Sequence, residues 1–385
     1  MSLISRGNSG ERIGKSSPIT MLFAKFCKQS RLIFYSCFLL GCAEERSNRP
    51  IPTEVQSNHS KGADKAINPE QVTRFHDVCR RIGRLNMTVT SVGSSLSPKA
   101  NNNLRCLAQE WGINIPESAL PDEGVFFFSD IADHRLNFLL DAINSDHKII
   151  WSLRGGHGTE MFLSTLNRLP PPKKGKIFIG FCDATSLNLF ITQKWPDCVA
   201  IHATMLLYLT PGSFDSKFDL LLDILEGKVK RYEVTGIHPL NTIAQKQKSV
   251  SGKLSGGNLT IIESSLKTCW EIETNNKILF LEDTNEQAPA IIRVLNHLKE
   301  AGKFSGVKAI IFGHFHSVKR PRFLKLCLKW YAETLAIPVY TTERIGHGDY
   351  NDPLVYNATA SIRDGKMIVD IPEILQKLAT EDSKK

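Results

Sequence analysis

The chain has 385 residues, 42% of them hydrophobic and 23% charged, with a formal net charge of +9. That composition describes a soluble globular protein with room for two domains of ordinary size and excludes a chain disordered throughout. More than half of the positive excess lies before residue 43; no basic patch interleaved with aromatics follows, so nucleic-acid binding is not indicated.

Residues 1–42 form an N-terminal extension, of which 1–20 are polar and rich in Ser, Gly and Arg. From Met21 the text has a basic start, an apolar stretch Leu32–Leu40 and then Gly41-Cys42. The apolar stretch is too short to span a bilayer and suits a signal-peptide core. Leu39-Leu40-Gly41-Cys42 resembles a bacterial lipobox, which implies a lipidated Cys42, a membrane tether and a place at the cell envelope. A cytoplasmic enzyme with a mere extension is the alternative. Residues 43–84 read as a tether, 43–68, followed by a short amphipathic helix over 69–82. The nine cysteines show no Cys-x-x-Cys pair and no zinc-like spacing, so neither a metal site nor a disulfide framework follows.

Folded chain begins in earnest with a strand from Leu85 and a helix over 98–111 that stops at Gly112. Apolar residues at helical spacing over 130–145 predict a further helix that packs on a sheet. Two short apolar runs, Ile149–Leu153 and Ile177–Gly180, read as buried parallel strands. Each breaks into a turn: Arg154-Gly155-Gly156-His157-Gly158 after the first, Phe181-Cys182-Asp183-Ala184-Thr185 after the second. Glycines let backbone N–H groups approach a ligand closely. A glycine two residues before a small nucleophile, in a strand-to-helix turn, resembles a nucleophile elbow. Cys182 is the candidate nucleophile on that pattern, and the N–H of the next residue, Asp183, is free to bind an oxyanion.

Another strand end follows near 200–205, and 206–239 reads as a linker region with a helix near 215–226. Leu254–Leu259 reads as a glycine turn before a short helix. Ile278–Leu281 is an apolar strand ending in Glu282-Asp283, and 288–303 is helical. Val307–Phe312 is a buried strand and 321–335 a helix. Ile337–Tyr340 leads to Gly346-His347-Gly348; a hairpin-like end over 354–372 precedes a tail, 376–385. Alternating strands and helices predict an α/β chain in two domains. The N-terminal domain, 85–205, would be a parallel sheet with helices on both faces and the elbow; the C-terminal domain, 240–375, would be mixed α/β. A weak nucleophile needs a base within hydrogen-bond reach and a third group to fix that base's tautomer. His347 suits the second role and Glu282 the third.

These segments together, with Gly256-Gly257-Asn258-Leu259 and the helix Arg293–Phe304, resemble the LD-carboxypeptidase family over roughly residues 86–372. That family includes murein tetrapeptide carboxypeptidases and microcin C self-immunity peptidases. The resemblance implies a two-domain hydrolase with a Ser-Glu-His triad, falling here on Cys182, Glu282 and His347. Oxyanion donors would be N–H groups near Gly155 or Gly156 and at Asp183. It also implies cleavage of the amide before a terminal D-amino acid, such as the D-alanine of a murein tetrapeptide, with no metal or organic cofactor. A murein peptide or related small peptide is the expected partner, with a homodimer as the expected assembly. This chain departs from the family in having Cys182 for serine, His157 for a tyrosine and His202-Ala203-Thr204 for a His-Gly-Pro turn. Two rivals accompany the peptidase reading: a murein-fragment binder without turnover, and a thiol amidase or transpeptidase.

Overall fold

Four short strands, β1 (Met87–Thr90), β2 (Ile149–Ser152), β3 (Ile177–Ile179) and β4 (Val199–His202), form a parallel sheet in chain order. The computed structural model describes residues 69–121, 123–209 and 217–380. Every residue of these four strands is buried, which is why they read as continuous apolar runs rather than alternating ones. The helices Ala132–Asn144 and Thr185–Lys194 pack against this sheet. The helix Pro98–Trp111 begins where its sequence says it should. The Ser97 hydroxyl accepts from the Ala100 N–H at 3.3 Å, proline fills the first turn, and Gly112 ends the helix at φ 67°. The helix Pro69–Gly83 also belongs to the fold, with Phe75, Val78, Cys79 and Ile82 buried.

A second sheet holds eight strands in the order β5-β13-β12-β7-β8-β9-β10-β6. Here β5 is Arg231–Thr235, β6 His238–Pro239, β7 Val250–Asn258, β8 Lys277–Thr284, β9 Ala309–His316 and β10 Val339–Gly346. The last two, β12 (Thr359–Arg363) and β13 (Lys366–Asp370), make an antiparallel hairpin. Asp364 and Gly365 turn it with φ of 50° and 72°, as a two-residue hairpin turn requires. Strands β7 to β10 run parallel in the middle, and antiparallel strands flank them. The chain is thus α/β, with a parallel nucleophile sheet and a mixed second sheet.

Four expectations need correction. Residues 206–239 are no simple linker, because β5 and β6 within them join opposite edges of the second sheet. The stretch 240–375 is not confined to that sheet either. Strand β11 (Leu354–Val355) crosses back to pair antiparallel with β4, Leu354 opposite His202. The tail is helical as far as Thr380, since Leu375 and Leu378 are buried on the helix Glu373–Thr380. Gly256 and Gly257 lie inside β7 rather than in a turn. Their backbones, at φ 145° and 130°, come so close to neighbours that side chains could not fit. A Cβ on Gly256 would stand 2.0 Å from the Phe280 carbonyl oxygen, and one on Gly257 would stand 2.5 Å from the Thr185 methyl.

The Gly257 contact joins the second sheet to the helix that follows Cys182. The Asn258 N–H donates to Thr185 Oγ1 at 3.1 Å, and the Tyr356 hydroxyl donates to the Gly256 carbonyl at 2.8 Å. The Asn188 side chain, on the same helix, donates to the Gly180 carbonyl at 2.9 Å. The expected signal, lipidation site and tether (21–42, Cys42 and 43–68) lie outside the described residues.

Candidate active site

Cys182 follows β3 after Gly180 and Phe181 and stands at φ 61°. A positive φ is uncommon in a residue with a side chain, and such strain persists only where the surroundings fix it. Here they do. A Cβ on Gly180 would meet the Ala184 methyl at 2.8 Å and Ser152 Oγ at 2.8 Å, so only glycine lets the turn fold so tightly. The chain then enters a short 3-10 turn, Cys182–Ala184, and the helix Thr185–Lys194. The thiol is half-buried at the N-terminal end of that helix, where helix polarity favours negative charge.

His347 comes immediately after β10, in contact with Phe181 at 4.7 Å between ring centroids. Its imidazole interacts electrostatically with the Cys182 thiol, which together with Glu282 raises its pKa. Its Nδ1 donates to Glu282 Oε2 at 2.5 Å, which fixes the proton on Nδ1 and leaves the other ring nitrogen to the thiol. Glu282 has no exposed side-chain surface. The pairing of β8 with β9 shifts register between Leu281 and Asp283, so Glu282 sits at an irregularity that turns its side chain inward. Glycines crowd it: a Cβ on Gly346 would lie 2.9 Å from the Glu282 Cβ, and one on Gly313 would lie 3.2 Å away.

Burial by itself would raise Glu282 and lower His347. Mutual attraction outweighs burial in both, so the carboxylate is held below its usual range and the imidazole well above its own. The result is a buried ion pair facing a thiol, the arrangement a nucleophile, base and orienting acid require. Cys182, His347 and Glu282 therefore come together in one run of contacts.

The glycine loop after β2 faces the same thiol. A Cβ on Gly155 would stand 2.9 Å from the Cys182 Cβ and 3.1 Å from its sulfur. The Gly155 carbonyl is engaged by the Ser94 N–H at 2.9 Å, and Gly156 adopts φ 106° against Ser94 Oγ. Asp183 contributes more than a backbone N–H. Its buried carboxylate accepts from Thr159 N–H at 3.2 Å and Thr159 Oγ at 2.5 Å, tying the elbow to the glycine loop. Burial pushes Asp183 up to about 6, although the Thr159 bonds pull it back.

Several supporting residues carry no sequence signal of their own. Asn351 Oδ1 accepts from the Gly346 N–H at 3.0 Å and bonds His202 Nε2 at 3.1 Å. Because the backbone N–H marks that atom as oxygen, His202 Nε2 carries a proton. Burial holds His202 down at about 4, hence neutral, between Phe181 and Phe280. Asp283, next to Glu282, accepts from Asn258 Nδ2 at 2.9 Å and from Thr260 N–H and Oγ at 3.0 and 2.7 Å. A lone loop asparagine or an acid pair is too common in sequences to point to either.

Known proteins match this chain in sequence and in fold. Residues 87–203 fit the model of the LD-carboxypeptidase N-terminal domain, and residues 251–362 fit that of the C-terminal domain. A chain of Rickettsia prowazekii named as a carboxypeptidase is 36% identical over 306 residues, 78% of this chain and 95% of that one. The chain belongs to the LD-carboxypeptidase family. A second relative, from Rickettsia conorii and also named as a carboxypeptidase, is 42% identical over 242 residues, 62% of this chain and 76% of its own. A Bacillus subtilis protein named as a murein peptide carboxypeptidase is 29% identical over 266 residues, 67% of this chain and 82% of that one. Among solved structures, a muramoyltetrapeptide carboxypeptidase from Oxalobacter formigenes superposes with a TM-score of 0.62. It is 22% identical and covers 74% of this chain and 98% of its own. The self-immunity protein MccF in complex with glutamyl sulfamoyl guanosine gives 0.60 at 20% identity, covering 76% and 97%. At that identity the two structures speak for the LD-carboxypeptidase fold.

Proposed function

We propose that the chain hydrolyses the amide bond before a terminal D-amino acid of a murein peptide, through an acyl-enzyme on Cys182. His347 holds the thiol proton as an imidazolium beside the Cys182 thiolate; the sulfur attacks the scissile carbonyl and the imidazolium passes its proton to the leaving amine. Glu282 holds the imidazole in the required tautomer and stabilises the imidazolium. The oxyanion is received by the backbone N–H of Asp183 and by N–H groups at Gly155 or Gly156. Water, deprotonated by His347, then cleaves the thioester and frees the shortened peptide.

One observation carries this reading: the contact run from Cys182 through His347 to buried Glu282 begins at a residue held at φ 61° in a strand-to-helix turn. A buried structural cysteine needs neither the strain nor the ion pair. The names of the relatives, carboxypeptidase and murein peptide carboxypeptidase, support the substrate class. We extend the proposal to a lipid-anchored enzyme of the cell envelope, tethered through Cys42, on the strength of Leu39-Leu40-Gly41-Cys42, and to a homodimer.

The test is incubation with murein tetrapeptide followed by mass analysis. Loss of one terminal D-alanine supports the hydrolase. An intact peptide, together with a Cys182 that reacts with thiol probes no faster than free cysteine, would leave a murein-fragment binder instead.

A further inference from the structure

A tight turn beside the glycine loop displays aromatic rings that the fold leaves unused. Val125 and Phe128 close it with reciprocal backbone hydrogen bonds of 3.1 and 3.0 Å. At its tip Phe126 is 90% exposed and Phe127 58% exposed. Phe126 stands at φ 58°, a conformation unusual for a bulky residue at a turn position that favours glycine.

The turn is anchored on both sides. The Ser129 N–H donates to the Gly93 carbonyl at 2.9 Å, and Ser129 Oγ donates to the Ser91 carbonyl at 2.8 Å. The Phe128 ring lies over the buried guanidinium of Arg135, 4.8 Å from its centroid. Phe127 packs on Phe128 at 4.3 Å and meets the exposed His157 ring edge-on at 5.5 Å. His157 is two residues beyond Gly155, the residue that touches Cys182. Chain geometry therefore places these rings within about 20 Å of the thiol.

Burying these rings in the fold would have been favourable, yet they are held outward, next to the nucleophile loop. Such a surface suits a ligand ring that presents C–H groups to π faces, which carry partial negative charge. We infer that Phe126, Phe127 and His157 form a rim subsite for the pyranose ring of a muramoyl peptide. This rests on the murein-peptide reading above. A muramoyl tetrapeptide carries its sugar three residues ahead of its terminal amide, roughly 10 Å of extended chain. That length falls inside the bound of about 20 Å, so one ligand can place its sugar on the rings and its amide at Cys182 when their separation is about 10 Å. A free peptide would leave them uncovered.

The experiment is a binding titration of the full chain carrying Cys182→Ala, which prevents turnover. The two ligands are free murein tetrapeptide and its N-acetylmuramoyl form. The muramoyl form should bind about fivefold tighter, the order expected of aromatic contact. Phe126→Ser with Phe127→Ser in the same background should bring that ratio to near one. His157→Ser alone should lower it in part, which provides a second route should the double variant express poorly. Equal affinities in the Cys182→Ala parent, or a preference that survives these substitutions, overturns the subsite. D-alanine release by the unsubstituted chain is measured in parallel. Preference without release removes the hydrolase reading and leaves the subsite standing; release without preference does the reverse.

Discussion

His347 Nδ1 donates to Glu282 Oε2 at 2.5 Å, on a carboxylate with no exposed surface. Because the pair is shielded from water, the carboxylate charge is what keeps the imidazole oriented and protonated on Nδ1. Glu282→Gln retains the shape and removes the charge, and its amide can offer an N–H to the ring and favour the wrong tautomer. Turnover should fall by about 10⁴, the loss known for an orienting carboxylate in a triad, while peptide affinity changes little. His347→Ala should in addition slow alkylation of Cys182 by iodoacetamide near pH 7. Unchanged alkylation would show that the thiol and the imidazole act separately.

Cys182→Ala removes the attacking atom. Turnover should drop by at least ~4 kcal/mol of barrier, by comparison with triad deletions, with the melting temperature nearly unchanged because the thiol is only half-buried. Cys182→Ser tests whether the site tolerates a hydroxyl at φ 61°. Measurable D-alanine release by the serine variant, and none by the alanine variant, is the expected pattern.

Gly155 stands so close to Cys182 that an added methyl would lie 2.9 Å from its Cβ and 3.1 Å from its sulfur. Gly155→Ala should displace the thiol by several tenths of an ångström without unfolding the loop. Small misplacements at reacting atoms cost on the order of 10² in rate. Full activity in this variant would mean that the loop yields, and that its fit to the elbow is unimportant.

Much of this site was legible because its parts sit where patterns break. Buried parallel strands read as apolar runs, and Gly180-Phe181-Cys182 and the glycines around His347 interrupt such runs visibly. The partnership of Cys182, Glu282 and His347 was not legible from spacing, since residues 65 positions apart meet only through the register of β8, β9 and β10. Gly256 and Gly257 were misread as a turn because glycine marks turns locally, whereas here it admits the Phe280 backbone and Thr185 from elsewhere in the chain. Two-residue β11 gives no periodic signal, and its pairing with β4 is decided by tertiary packing. Asn351 is polar in a loop like many others; its role appears only when Gly346 and His202 converge on it.

Asp183 makes stability depend on pH in a stated direction. Burial raises it from 3.8 to about 6, so between those values the folded protein holds a proton that the unfolded chain has lost. Its contribution is therefore absent below the unfolded value, becomes increasingly unfavourable as pH rises towards 6, and is constant above. The ceiling is about 3 kcal/mol at 1.36 kcal/mol per unit. Asp183→Asn can still accept from Thr159 and does not titrate. The melting temperature of the variant minus that of the parent should rise between pH 4 and 6 and level off beyond. A difference that is flat across this range would show that the carboxylate is ionised without penalty.

The proposed envelope location rests on Cys42, which precedes the described residues. A basic start, a short apolar core and Leu-Leu-Gly-Cys argue for processing and lipidation. Against this, an oxidising compartment endangers a reactive thiol. The six cysteines among the described residues are all unpaired, with Cys79 and Cys198 buried. Burial raises Cys79 to about 12 and Cys198 to about 11, which keeps both in the unreactive thiol form. Two of the five other described cysteines are thus poor partners for Cys182, and the objection weakens. Cells expressing the native chain should show it in the membrane fraction, with Cys42→Ala released from the lipid-modified pool. If both forms stay soluble in the cytoplasm, residues 21–42 are no signal.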